Sequence, residues 1–354
     1  MSQNPHYKVG KKPVKMRSEL LFLYDVKDAN PNGDPEENRP RIDEETEVNI
    51  VTDVRLKRTI RDYLKDFKQR DIWVTKEITR EGTVKTREEK LEEEKIKSHD
   101  DAKKLLEKFI DLRLFGATIA AERKKGKIGK DESEEEGEKK PVKGEMVFTW
   151  TGPVQFKFGH SLHRVKEVFV KGTSVLPSKE LKAAGTFTEA YILPYSLINF
   201  YGVINEKAAE DTLLSEEDID DLLDGMWNGT KNLITRSKFS HMPRFLVRVT
   251  YKEKNFHIGD LDGKVKLLDL ENKEIDRDGR DGRTLRDIRD VKVDVTELFE
   301  TLMSHKDKIE KIQIKANDNV LFRFNSKDYK GNKVIEAIKN IGLNSVEEIV
   351  WLEN

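Results

Sequence analysis

The chain has 354 residues, enough to bury a large core as one elaborated domain or two. Lysine and arginine number 66 and aspartate and glutamate 67, so the formal net charge of -1 gives no support to nucleic-acid binding, and any such case must rest on local patterns. Cysteine is absent, which excludes disulfides and thiolate zinc sites.

The start, Met1 to Met16, is polar and basic without an apolar signal core, and no apolar run reaches membrane-spanning length. A cytoplasmic protein with no membrane attachment is expected. The Lys/Glu load, the absent cysteine and only four glutamines resemble thermophile composition.

Residues 1–18 read as a disordered or loosely docked arm. Leu20-Leu21-Phe22-Leu23-Tyr24 is too short and too closely bounded for an amphipathic helix and predicts a buried strand. Asn30-Pro31-Asn32-Gly33-Asp34-Pro35 is a strong turn signal. Thr52 then caps a helix whose apolar stripe is Leu56, Ile60, Leu64 and Phe67, with Lys57, Arg58, Arg61 and Lys65 off it. Residues 71–101 are mostly charge and read as a solvated helix or mobile insertion. A second helix is predicted from Asp100 to Leu114, with Gly116 as its C-cap. Residues 121–145 are low-complexity and predict disorder.

Met146, Phe148 and Trp150 alternate, as do Val154, Phe156 and Phe158, with Gly152-Pro153 between them read as a bulge in one strand. Residues 167–190 read as a projecting hairpin or loop, and Tyr191 to Ile204 as a strand. Ser215-Glu216-Glu217-Asp218 is a capping-box signature before a helix striped by Ile219, Leu222, Leu223 and Met226. Phe245, Val247, Val249 and Tyr251 alternate as a strand. The order strand, helix, strand, strand, helix, strand is the split βαβ, or ferredoxin-like, order shared with RNA-recognition folds, an α+β class. Residues 253–354 form an extra layer, with a helix over Val295 to Ile312 and strands at 311–314 and 320–324.

Acids are missing from two windows. Gly225 to Lys252 contains Lys231, Arg236, Lys238, Arg244 and Arg248; Met146 to Lys166 contains Lys157, His160, His163, Arg164 and Lys166. Converging basic loops would suit a polyanion, and an ordinary exposed strand face would also explain them. The pattern leaves both open. His160-x-x-His163 lacks a carboxylate or cysteine companion and reads as surface histidine. Asp276 to Gly282 lacks the closing glutamate of a calcium loop. No Walker A, G-x-S-x-G or dinucleotide fingerprint is present. Asp28 and Asp34 flank the first turn, where turn-forming aspartate is commoner than a metal ligand.

The blocks Tyr24 to Pro35, Arg39-Pro40-Arg41-Ile42-Asp43 and Thr52 to Arg58 strongly resemble the RAMP-type backbone subunit of type I CRISPR surveillance (Cascade) complexes, subtype I-B first and I-C second. Arg113-Leu114-Phe115-Gly116, Thr151-Gly152-Pro153-Val154-Gln155, Met226 to Leu233, Thr235-Arg236-Ser237-Lys238 and Met242-Pro243-Arg244 add to it. The resemblance implies an RRM-like palm (19–70 and 146–252), a helical, charged finger insertion (71–145) and a thumb hairpin (167–190). It implies copies polymerised head to tail along CRISPR RNA, each thumb flipping out one nucleotide while the guide pairs with target DNA. Large, small, 5'-handle-capping and processing subunits are the other expected partners.

The family's contacts at the first helix carry over to Thr52 and Lys57, with Arg58 and Arg61 beside them. The same resemblance assigns RNA contact to Asn30, Asn32, Gly33, Arg39, Arg41, Gln155, Ser161, His163, Arg236, Ser237, Lys238 and Arg244. It implies a scaffold with no catalytic residue, metal or cofactor. The alternative is the related type III subunit, which cuts target RNA with a metal-dependent aspartate in the loop that here contains Asp34.

Overall fold

The computed structural model describes residues 12–79, 81–96, 101–122, 145–173, 187–343 and 345–351. Strand β1 (Ser18–Ala29) leads through β2 (Val48–Val51) to α1 (Asp53–Asp66). Thr52 caps α1 by accepting the Arg55 N–H at 3.3 Å. An insertion follows, with α2 (Arg87–Glu93), α3 (Ala102–Lys108), α4 (Ile110–Phe115), β3 (Gly116–Glu122) and β4 (Glu145–Thr151). Next come β5 (Val154–Phe156), β6 (Gly159–Arg164), β7 (Val168–Thr173) and β8 (Phe187–Ile204), then α5 (Glu206–Thr212), α6 (Glu216–Lys231) and β9 (His241–Tyr251). The C-terminal part contains β10 (Lys266–Leu268), β11 (Lys292–Asp294), α7 (Thr296–Ser304), β12 (Ile309–Ala316), β13 (Leu321–Phe324), β14 (Lys327–Lys330), α8 (Lys333–Lys339) and β15 (Val346–Glu348).

The protein is α+β, with one large sheet in the order β15-β12-β9-β1-β8-β6-β2, and β5 and β7 also paired to β8. β1 is antiparallel to both neighbours: Ser18 stands opposite Ile204 of β8 and Thr250 of β9. Its side chains alternate between two cores. Leu20, Phe22, Tyr24 and Val26 join Leu56, Ile60 and Leu64 of α1 and Ile219, Leu222 and Met226 of α6. Leu21 and Leu23 face the opposite way, toward Val293, Phe299, Phe322 and Ile335 of the C-terminal part. With both faces covered, β1 reads as a continuous apolar run; an antiparallel strand with one wet face would alternate.

Two buried charge systems fasten the layers. Glu19 accepts hydrogen bonds from the Tyr201 and Tyr251 hydroxyls and from the backbone N–H groups of Ile258 and Gly259. Arg113 pairs with Asp218 at 2.7 Å, with almost nothing of either side chain exposed, and Asp218 also accepts from the Ser215 hydroxyl and N–H in the capping box of α6. The insertion is thereby tied to the α1–α6 layer.

Several elements depart from expectation. Glu145–Thr151 pairs with Gly116–Glu122 in a separate two-stranded sheet, and the large sheet resumes only at Val154. Gly152 therefore separates two sheets; a Cβ on it would run into the backbone of Phe115. The predicted helix from Asp100 breaks at Phe109, whose extended backbone turns its ring edge-on to Trp73 with centres 5.2 Å apart. The charged stretch before it includes α2, a short helix that buries Lys90 and Leu91, with the rest of its residues facing solvent. In the C-terminal part, α7 stops at Ser304, and Ile309 begins a strand on the free edge of β9. Most of 121–145 and the tip of 167–190 lie outside the described residues; the base of the latter is the β7–β8 hairpin. Among the described residues no helix is long and apolar enough to cross a membrane.

Candidate nucleic-acid interface

The turn after β1 is fastened to two other loops. The Asn30 N–H donates to the Ser237 carbonyl at 2.8 Å, and Lys238 Nζ donates back to the Asn30 carbonyl at 3.2 Å. Asn32 Oδ1 accepts both the N–H and the hydroxyl of Thr52, each at 2.9 Å. Arg41 donates its N–H to the Asn32 carbonyl and accepts from Ile50. Asn30, Asn32, Arg41, Thr52, Ser237 and Lys238 therefore meet at one end of β1. A Cβ on Gly33 would land on the Asn38 side chain, which would have to swing aside.

Asp34 accepts the backbone N–H groups of Glu36, Glu37, Asn38 and Arg39, which hold its carboxyl below the usual range. It organises the turn. Among the described residues no three His, Cys, Asp or Glu side chains gather where they could hold a metal ion.

Acids and cations share this end: the turn itself carries Asp34, Glu36 and Glu37, and some of the neighbouring cations are left unpaired. Arg41, Lys231, Arg236 and Lys238 have no carboxylate partner among the described residues. Arg39 pairs with Glu167 and lies 4.9 Å over the Tyr191 ring, joining the turn to the base of the β7–β8 hairpin. Arg58 is mostly exposed and pairs with Asp62 at 3.4 Å. Unpaired cations beside a helix N-terminus suit a chain of phosphates.

Other residues assigned by resemblance are placed elsewhere. Lys57 bonds Asp53 at 2.9 Å and Gln155 at 3.4 Å, and Arg61 bonds the buried Asp111 at 3.0 Å over the Phe115 ring. These three therefore sit at the junction of α1 with the insertion. Ser161 and His163 are buried and their polar atoms are satisfied internally, which corrects the expectation that they reach outward. Ser161 Oγ accepts the Asn49 N–H and donates to the His163 carbonyl. His163 Nδ1 donates to Arg164 O, and its Nε2 accepts from Leu197 N. Asn49 in turn donates to the Arg41 carbonyl at 2.8 Å, so Ser161 supports the interface from beneath. Arg244 is mostly withdrawn from solvent, in an ion pair with buried Asp25 at 2.9 Å.

Asn49, Arg55 and His241 escaped the sequence reading. Nothing local marks them; they matter because the fold buries Asn49 and His241, and half-buries Arg55, against the turn.

The family model for CRISPR-associated protein Cas7 matches residues 16–296. A "CRISPR-associated protein Cas7" of Haloferax volcanii is 37% identical over 313 residues, covering 84% of this chain and 86% of its own. A solved chain described as "CRISPR RNA-guided surveillance complex" superposes with a TM-score of 0.45 at 12% identity, covering 86% of this chain and 90% of that one. Another, described as "CRISPR RNA-guided surveillance complex, pre-nicking", gives 0.47 at 11%, with coverage of 91% and 99%. Both superpositions are too loose to argue from. The family match and the Haloferax relative, spanning most of the chain, suffice: this protein belongs to the CRISPR-associated Cas7 family.

Proposed function

We propose that the protein is the non-cleaving backbone subunit of a type I, RNA-guided CRISPR complex, with subtype I-B the nearest kind and I-C the next. The observation that carries this reading is the meeting of the Asn30–Asn32 turn, the Thr52 helix start and the Ser237–Lys238 loop beside Arg41, Arg236 and Lys238, which have no carboxylate partner among the described residues. Such a surface grips phosphates without reading bases, as a guide-coating protein must. The antiparallel order β9-β1-β8-β5 with α1 and α6 sharing one core supports an RRM-like palm. The insertion after α1 is then the fingers and the β7–β8 hairpin the thumb. Copies would stack head to tail along CRISPR RNA with the other Cascade subunits, leaving guide bases to pair with target DNA.

In this reading Asp34 is a turn-former, because its oxygens already serve four backbone donors. Purification from an expression host should yield large particles with RNA protected in regular steps and not shortened in magnesium. RNA-free monomers that ignore added guide RNA would overturn the scaffold. RNA cut in magnesium by the wild type, with cutting lost in Asp34→Ala, would replace it with the nuclease.

A further inference from the structure

Where β1, β9, α1 and α6 meet, a small pocket is lined by basic side chains and no acid. Tyr24, Arg55, Thr59, Leu233 and His241 surround about 10 Å³ open to water-sized atoms, roughly the room one water needs. Arg55 donates through a terminal nitrogen to Thr59 Oγ1 at 2.9 Å, while its buried Nε has no acceptor. His241 is 3% exposed and stacks on Tyr24; its ring nitrogens make no well-formed hydrogen bond, and only the backbone of Lys238 and Phe239 approaches them. Lys238 stands close enough for its charge to act on His241, and Arg55 acts on both.

Other fully or partly buried arginines show what is missing here. Arg113 has Asp218, Arg61 has Asp111, Arg244 has Asp25 and Arg248 has Glu216. The acid nearest in influence to Arg55 is Asp62, whose carboxylate bonds Arg58. A guanidinium withdrawn from water without a counter-charge is unfavourable, and unpartnered donors around a void are completed by an acceptor atom.

We propose that this pocket seats one oxygen of an oxyanion, and that the oxyanion is a backbone phosphate of RNA lying across the adjoining loops. The second clause rests on the RNA-binding reading above. Arg55 Nε–H and a His241 ring N–H donate to that oxygen, and Lys238 supplies charge beside it. The contact is charge-assisted and carries no base preference.

Two measurements on the full chain test it, using wild type, Arg55→Gln and His241→Phe; phenylalanine keeps a ring beside Tyr24 without the nitrogens. First, the thermal midpoint is followed with inorganic phosphate at constant ionic strength. It should rise in the wild type and not in either variant. Second, RNA affinity is measured across salt concentration, where Arg55→Gln should flatten the log–log slope by about 0.7, the loss of one single-strand phosphate contact. Phosphate protection with an unchanged slope, or with no RNA binding by any form, would keep the oxyanion seat and overturn RNA as its occupant. No phosphate effect on the wild type together with an unchanged slope would overturn the seat itself, leaving a water site. If Arg55→Gln does not fold, the wild type and His241→Phe still carry the phosphate comparison. His241→Phe should also weaken RNA binding at every salt concentration without changing the slope, because the His241 imidazole is neutral; equal affinity would overturn RNA as the occupant.

Discussion

Asp218 serves two structures at once, the cap of α6 and the bidentate carboxylate partner of buried Arg113. Removing one partner of such a pair leaves a buried charge unmet, so Arg113→Met should cost about 3–5 kcal/mol in urea denaturation. A loss below about 1 kcal/mol would mean that water reaches the pair. The histidines give a pH signature. Burial, then Lys238 and Arg55, push His241 down to about 3, and burial also lowers His163. A folded state that resists protonation is favoured above the unfolded value near 6.5 and loses that advantage as pH falls through the window toward the folded value. Asp25 acts oppositely: burial raises it to about 6 against Arg244 and Tyr195, so its contribution fades as pH rises through that value. The difference between wild type and His241→Phe isolates the histidine. Below pH 6.5 the wild type should lose stability relative to the variant by up to about 1.4 kcal/mol per pH unit, read from urea midpoints. Parallel pH profiles would show His241 to be hydrated.

At the scale of elements, the glycines that close the insertion deserve a direct test. Gly116 has φ +64°, and a Cβ on it would strike the Trp150 carbonyl, while one on Gly152 would strike Phe115. Gly152→Ala should therefore open the seam between the β3–β4 sheet and α4. The expected result is faster proteolysis within residues 71–151 while the rest of the chain stays protected; equal cleavage rates would show the seam to be compliant. The same seam explains a misreading. Trp150 and Val154 obey one alternation, so the sequence reads through Gly152, although the backbone changes sheets there. Ile309 and Ile312 likewise continue a helical spacing from Leu298 and Leu302, yet the open edge of β9 recruits them as strand. Capped starts were easier: Thr52 and Ser215 both cap as their residue types suggest. In the candidate interface, turn and cap residues such as Asn30, Asn32 and Thr52 were legible because local chemistry names them. Arg55 and His241 were not, since burial is a property of the whole fold.

For the whole molecule, near-zero net charge and a few unpaired cations in the loop cluster coexist because many cations elsewhere are met by acids close in space, as Lys157 is by Asp260 and Asp262. The C-terminal part covers an entire face of the sheet, including Leu21, Val247 and Val249. Truncation after Lys252 should expose that face and drive the protein into aggregates in size-exclusion chromatography. A monodisperse truncated species would show the C-terminal part to be an independent appendage.

The central position of β1 also sets a timetable for synthesis. Ser18 pairs with Ile204 and Thr250, so the first strand off the ribosome waits for neighbours that arrive some 190 and 230 residues later. At about 5–20 residues per second that delay is on the order of 10–50 s. An apolar ribbon spends it unpaired, followed closely by the Lys/Glu-rich tract of residues 71–145, which bears charge while the wait lasts. Nascent chains of this protein are thus a natural clientele for holding chaperones, and slowing translation should tax them more than slowing the final collapse.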